Sequence, residues 1–266
     1  LQSNTTADYS TAVGRDALRL NTTGSHNTSV GGNSLDANTT GSNETAVGFA
    51  ALSSNTTGVD NCAFGVNALY ANTTGYRSQA FGLGALVANT TGAENNAVGY
   101  HALGGVTTGS YNTAIGHGAG DTITTGQHNI CIGHGSDPTG ATESGEITLG
   151  SSDNDTLRCN TQTIVSLSDA RDKVDVVDLP AGLNFIDTLR PVKFKWQTRD
   201  GNIKDGITSA GFLAQDLQTA QKDSEYLDLV SNKNPDRLEA KYGNLLPVLV
   251  QAIKELSAKV TALEAK

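Results

Sequence analysis

Glycine stands at positions 14, 31, 48, 65, 82, 99, 116, 133 and 150, nine places separated by a constant seventeen residues. The residue before each is Val13, Val30, Val47, Phe64, Phe81, Val98, Ile115, Ile132 or Leu149. A second glycine column runs from Gly24 to Gly126 in the same phase and closes Asn-Thr-Thr-Gly corners beginning at Asn21, Asn38, Asn55, Asn72 and Asn89. A third column carries Leu18, Leu35, Leu52, Leu69, Leu86 and Leu103. A short fixed period makes each unit a copy of its neighbour, which is the signature of units stacked along one axis. Seventeen residues cannot hold two helices and a turn, but they suit one coil of a β-solenoid. The expected coil is strand, turn, second strand, turn. The aliphatic or Phe residue and the leucine are available for burial, and the corner glycine supplies a positive φ. Nine coils at about 4.8 Å stack to about 40 Å.

The repeats fill only part of the 266 residues. Residues 1–160 hold 25 of the 30 glycines, four arginines, twelve acids and no lysine, a net charge of 4 − 12 = −8. Residues 161–266 hold fourteen basic and fifteen acidic residues, 14 − 15 = −1. That shift divides the chain into a repeat domain, 1–160, and a second domain, 161–266. The total charge of −9 argues against a nucleic-acid binder. No apolar run is long enough to span a membrane. Three cysteines without CxxC spacing (Cys62, Cys131, Cys159) argue against zinc and a disulfide framework. The odd cysteine count also favours assembly in a reducing compartment, and with no Met and no signal peptide the chain reads as a fragment of something longer.

The repeat domain resembles the parallel β-roll heads of trimeric autotransporter adhesins and similar repeats in phage tail fibres. Each coil offers little apolar burial for seventeen ordered residues, so several chains, most simply three, are expected to share one core. Two kinds of chemistry are conceivable on the roll. A glycan hydrolase needs two carboxylates at a fixed spacing, and the nearest pair is Glu44 and Asp60, in neighbouring columns. His117 and His134 share one column on adjacent coils and form the minor alternative of a metal site. The expectation is nevertheless no metal and no cofactor. The Asn-x-Thr sequons are a by-product of the repeat, and stacked Asn and Thr side chains are expected to form hydrogen-bonded ladders.

After residue 160 the period stops. TQTIVSL reads as a strand and precedes Ser168-Asp169-Ala170-Arg171-Asp172-Lys173. Leu183–Trp196 (LNFIDTLRPVKFKW), Ala210–Gln218 (AGFLAQDLQ) and a terminal segment follow. In the last, Leu246, Leu249, Ile253, Leu256, Val260 and Leu263 alternate at spacings of three and four, the seam of a coiled coil over about 244–266. Ser-Asp-x-Arg-x-Lys, then L-x-P-V-x-F-x-W, G-F-x-A-Q-x-L and A-I-x-E-L, resembles the C-terminal intramolecular chaperone of endosialidase-type phage tail spikes and fibres.

The resemblance implies a homotrimer whose small α+β chaperone ends in a trimeric coiled coil, folds the β-roll and then cuts itself away. It implies cleavage of Leu167–Ser168 with Ser168 as nucleophile and Lys173 as base, Asp169 and Arg171 supporting. The enzyme would be a self-cleaving serine endopeptidase acting once, in cis. Expected partners are two further copies and a host-surface glycan or protein receptor. The expected location is a virion tail assembled in the host cytoplasm. A permanently attached structural or adhesive trimer is the alternative. On a regular helix five residues turn through about 500°, so Ser168 and Lys173 would not share a face there. In the bland alternative Ser168 is a helix N-cap and Lys173 faces solvent.

Overall fold

The computed structural model describes residues 1–154, 158, 168–197, 206–233 and 238–266. The chain divides into two compact units, Leu1–Asn154 and Asp155–Lys266. The first is a parallel β-solenoid. Each coil contributes one three-residue strand: β1 Thr11–Val13, β2 Thr28–Val30, β3 Thr45–Val47, β4 Cys62–Phe64, β5 Gln79–Phe81, β6 Asn96–Val98, β7 Thr113–Ile115, β8 Ile130–Ile132 and β9 Ile147–Leu149. They form one nine-stranded sheet in sequence order. Each strand pairs with the next in a seventeen-residue register, as in Ala46 with Ala63 and Val47 with Phe64.

Successive side chains of a strand alternate faces, so with the middle one inward the two that flank it point out. The middle position belongs to the small residues Ala46, Ala63, Ala80, Ala97 and Ala114, all fully buried. The aliphatic or aromatic residue that follows therefore points out, with Val13 at 56% and Phe64 at 37% exposed. This corrects the expectation that the large residue before each glycine fills the interior. The glycine after it is required twice over. From Gly14 to Gly133 the column has φ between 125° and 142°, and a Cβ on Gly48 would lie 2.4 Å from the Gly65 carbonyl oxygen.

No second strand occurs in the coil among the described residues. The leucine column lies in turns, with Leu18, Leu35, Leu52, Leu69, Leu86 and Leu103 at φ between 49° and 54°. A left-handed leucine costs about 1–2 kcal/mol, offset by about 1.5–3 kcal/mol from burying the side chain. All six are 0% exposed, and the amide is not lost, since Leu35 N–H donates to the Ala51 carbonyl on the next coil at 3.0 Å. The corner glycines differ from the expectation as well. No left-handed φ is found at Gly24, Gly41, Gly58, Gly75 or Gly92. What they provide is room, since a Cβ on Gly41 would meet the Gly58 carbonyl at 2.3 Å and Asn38 Oδ1 at 2.4 Å.

Fifteen polar or charged residues are buried in the solenoid beside its apolar ones. Asn21, Asn38, Asn55, Asn72 and Asn89 are fully buried, and each Nδ2 donates to the glycine carbonyl three residues on, as in Asn72 to Gly75 at 3.0 Å. From Asn38 onward Nδ2 also donates to the preceding asparagine's Oδ1, for example Asn72 to Asn55 at 2.9 Å. The ladder ends where Val106 takes the next place in the column, and Asn89 Oδ1 is accordingly left without a donor. A parallel column includes Asn27, Asn61, Asn95, Asn112 and Asn129, whose amides reach glycine or Glu143 carbonyls one coil on. Thr22 Oγ1 and its successors donate to the threonine carbonyl of the next coil. The expected Asn and Thr ladders are present.

The second unit is a small α+β assembly. It comprises α1 (Leu183–Ile186), β10 (Val192–Lys195) antiparallel to β11 (Thr208–Gly211), α2 (Ala214–Ala220), β12 (Val230–Ser231) paired with β13 (Glu239–Ala240), and α3 (Leu246–Glu264). Its core gathers Ala181, Leu217, Leu227, Leu229, Val230, Leu245 and Val248. Val248 and Ala252 are the buried residues of α3. The seam residues Leu246, Leu249, Ile253, Leu256, Val260 and Leu263 are 43–68% exposed. The segment TQTIVSL lies outside the described residues.

Candidate active site

Asp169 turns the chain just after Ser168. Its carboxylate accepts from Arg171 N–H at 2.9 Å and from Arg171 Nε at 3.0 Å. It thereby caps a single 3-10 turn, Ala170–Asp172. These bonds hold the Asp169 carboxyl below the usual carboxylate range, the Arg171 side chain first and its backbone N–H second. Lys173 then leaves the turn in an extended conformation, φ −127° and ψ 137°, while its N–H donates to the Ala170 carbonyl. The turn folds the chain back on itself, and Lys173 Nζ lies 2.6 Å from Ser168 Oγ as donor.

The face mismatch of a regular helix does not arise, because Ser168 and Lys173 lie outside the 3-10 turn, one before its Asp169 cap and the other extended after it. The N-cap is Asp169, not Ser168, and Lys173 is paired with the serine. Asp169 and Arg171 act as the clasp of the loop that presents the pair. All six residues from Ser168 to Lys173 are exposed, as are Val174, Val176 and Val177 at 76–86%. Leu167, and with it the acyl side of the Leu167–Ser168 bond, lies outside the described residues.

The remaining candidates separate clearly. Glu44 is 0% exposed, inside the solenoid in the column of Asn27 and Asn61. Asp60 lies in an exposed column, accepting from Asn43 Nδ2 at 2.9 Å and 3.8 Å from Arg77 Nε. The two carboxyls cannot flank one substrate, so the hydrolase pair is not assembled. Burial raises the Glu44 carboxyl to about 9, against the lowering effect of its bonds with Asn61, and Oε2 has no partner. His117 and His134 stack with centroids 5.0 Å apart, Tyr100 continuing the stack on His117 at 4.8 Å. Both are exposed, and among the described residues no group of three or more His, Cys, Asp or Glu is placed to hold a metal. The sequon asparagines in the five corners are buried and hydrogen-bonded, out of reach of a modifying enzyme.

One contact in this unit escaped the sequence reading. Glu255, within the A-I-x-E-L motif, accepts from the Leu183 N–H at 2.8 Å and from Gln251 Nε2 at 3.1 Å. It thus fastens the start of α1 to α3. Gly182 leaves room for that carboxylate, since a Cβ there would lie 2.1 Å from Glu255 Oε1. The motif spacing was the available signal, but nothing local connects Glu255 to a residue 72 positions away.

Comparison with known proteins gives no match among curated proteins and none among solved structures. A family model does match, over residues 168–225, and its first matched residue is the serine of the Ser168–Lys173 pair. Over that segment the chain is similar to the peptidase family described as the chaperone of endosialidase, the family its motifs resemble.

Proposed function

We propose that this chain is the distal part of a homotrimeric phage tail fibre or spike. Its C-terminal unit assembles three copies, folds the solenoid and then releases itself by cutting Leu167–Ser168. The observation that carries the reading is the 2.6 Å contact between Lys173 Nζ and Ser168 Oγ at the first residue of the chaperone match. The exposed seam of α3 supports three-fold assembly, since an apolar stripe at heptad spacing is stable only against partner helices.

In the proposed reaction, neutral Lys173 takes the Ser168 hydroxyl proton and Oγ attacks the Leu167 carbonyl carbon. The C–N bond breaks, the proton passes to the Ser168 amine, and Leu167 is held as an ester on Oγ. Water hydrolyses the ester, giving the Leu167 carboxylate and restoring the hydroxyl. Attack on the adjoining carbonyl replaces substrate binding with effective molarity. A lysine base must be largely uncharged, which requires removal from water. Lys173 is exposed in the single chain, so cover comes from the other two copies and cutting follows assembly. The freed solenoid then serves at the virion tail, against a host-surface glycan or protein.

The test is a denaturing gel of freshly expressed full chain. Wild type should yield fragments ending at Leu167 and beginning at Ser168, and Ser168→Ala and Lys173→Ala should each leave one intact band. Intact wild-type chains in a fully folded trimer would overturn self-cleavage. Equal processing in the Ser168→Ala variant would overturn the assignment of the nucleophile.

A further inference from the structure

The solenoid presents a face that its own interior does not use. On either side of the glycine column, the residue before it and the residue after it both point outward. Twelve of these are large apolar residues more than a third exposed, among them Phe49, Phe64, Phe81, Leu83 and Tyr100. At a third to a half of its surface, each adds on the order of 80 Å², roughly 1,000 Å² together. A typical monomer's largest apolar patch is about 300–600 Å², whereas a standard interface takes about 800 Å² from each partner.

Charge points to the same surface. Apart from Arg15 at the first coil, the columns flanking the glycines carry no Asp, Glu, Lys or Arg. The acids of the repeat domain lie elsewhere, as Asp60 does on an exposed column, Asp36 on a half-buried one and Glu44 inside. Copies of an acidic repeat domain repel one another except where this neutral strip meets its like. Phe64 and Phe81 are stacked at 5.2 Å, so the centre of the strip offers a stiff aromatic ridge.

We infer that the outer face of β1–β9, on both sides of the glycine column, is the surface by which copies of this chain pack against one another along the solenoid. The inference rests on the trimer reading above and adds to it the place of contact. The chaperone then needs only to align the strips, and the strips hold after it is released.

Cysteine cross-linking tests this on the full chain in a Cys62→Ser, Cys159→Ser background; Cys131 is 1% exposed. Val98→Cys places a thiol on the face, and Thr91→Cys places one in the exposed threonine column as a control. Under mild oxidation Val98→Cys should give a covalent dimer band in up to about two-thirds of chains, since one disulfide joins two of three copies, and Thr91→Cys should stay monomeric on the gel. A molar mass of three chains with linking at Thr91 and none at Val98 would overturn the face while leaving the trimer standing. A folded single chain in solution would overturn both.

Discussion

Replacing Glu44 with glutamine should remove a pH dependence that the solenoid carries in its interior. The carboxyl is raised from 4.5 to about 9, mainly by burial. A folded chain therefore keeps a proton that the unfolded chain releases above pH 4.5. The contribution to stability is fullest below that value and is lost steadily as pH rises, until the folded group also ionises near pH 9. Each pH unit between those limits is worth about 1.4 kcal/mol. From pH 5 to pH 8 the wild type should lose about 4 kcal/mol per chain relative to Glu44→Gln. Glutamine retains an oxygen for the Asn61 Nδ2 bond, 3.1 Å in the wild type, but has nothing to ionise. Denaturant midpoints followed by circular dichroism at several pH values give the difference directly. Parallel profiles for the two proteins over that range would refute the placement of a protonated carboxyl in the asparagine column.

Three further substitutions probe the other supports. Gly48→Ala should cost several kcal/mol in thermal unfolding, because φ is +140° and the new Cβ would lie 2.4 Å from a backbone oxygen, whereas Gly135→Ala, with nothing within 4 Å, should cost only about 1–2 kcal/mol. Asn72→Ala should destabilise more than Asn89→Ala, by about 1–3 kcal/mol in denaturant titrations, since only Asn72 both donates to the preceding asparagine and accepts from the next. Glu255 is held below the usual carboxylate range chiefly by the Leu183 N–H, so its support of α1 is present above about pH 4.5 and lost as pH falls. The protection of the Leu183 amide, its exchange rate relative to the intrinsic rate at the same pH, should fall in acid in the wild type and be low at all pH in Glu255→Ala.

The solenoid was legible because its period is a property of the chain, and Gly14 to Gly150 state it without reference to packing. Direction was harder to read. Val13 and Leu18 are equally apolar on the page, yet one is outside and the other inside. The choice depends on a strand only three residues long and on a leucine in a left-handed turn, neither of which hydrophobic pattern encodes. Asn21 has the sequence of a corner residue and is also a core residue, because its buried amide finds an acceptor in its own turn and, from Asn38 onward, the coil before supplies a second. Ser168 and Lys173 were legible through the motif around them, while the means of their meeting was not. An Asp169-capped 3-10 turn is one of several ways to close a five-residue gap. Glu255 stayed hidden because its partner is a backbone amide in a distant segment.

Native mass spectrometry of the purified full chain, after folding at neutral pH, tests assembly and cutting together. The account predicts a complex of three chains, each ending at Leu167, with the 168–266 fragment released or dissociable. A single intact chain of 27.5 kDa, folded and unassociated, would contradict it.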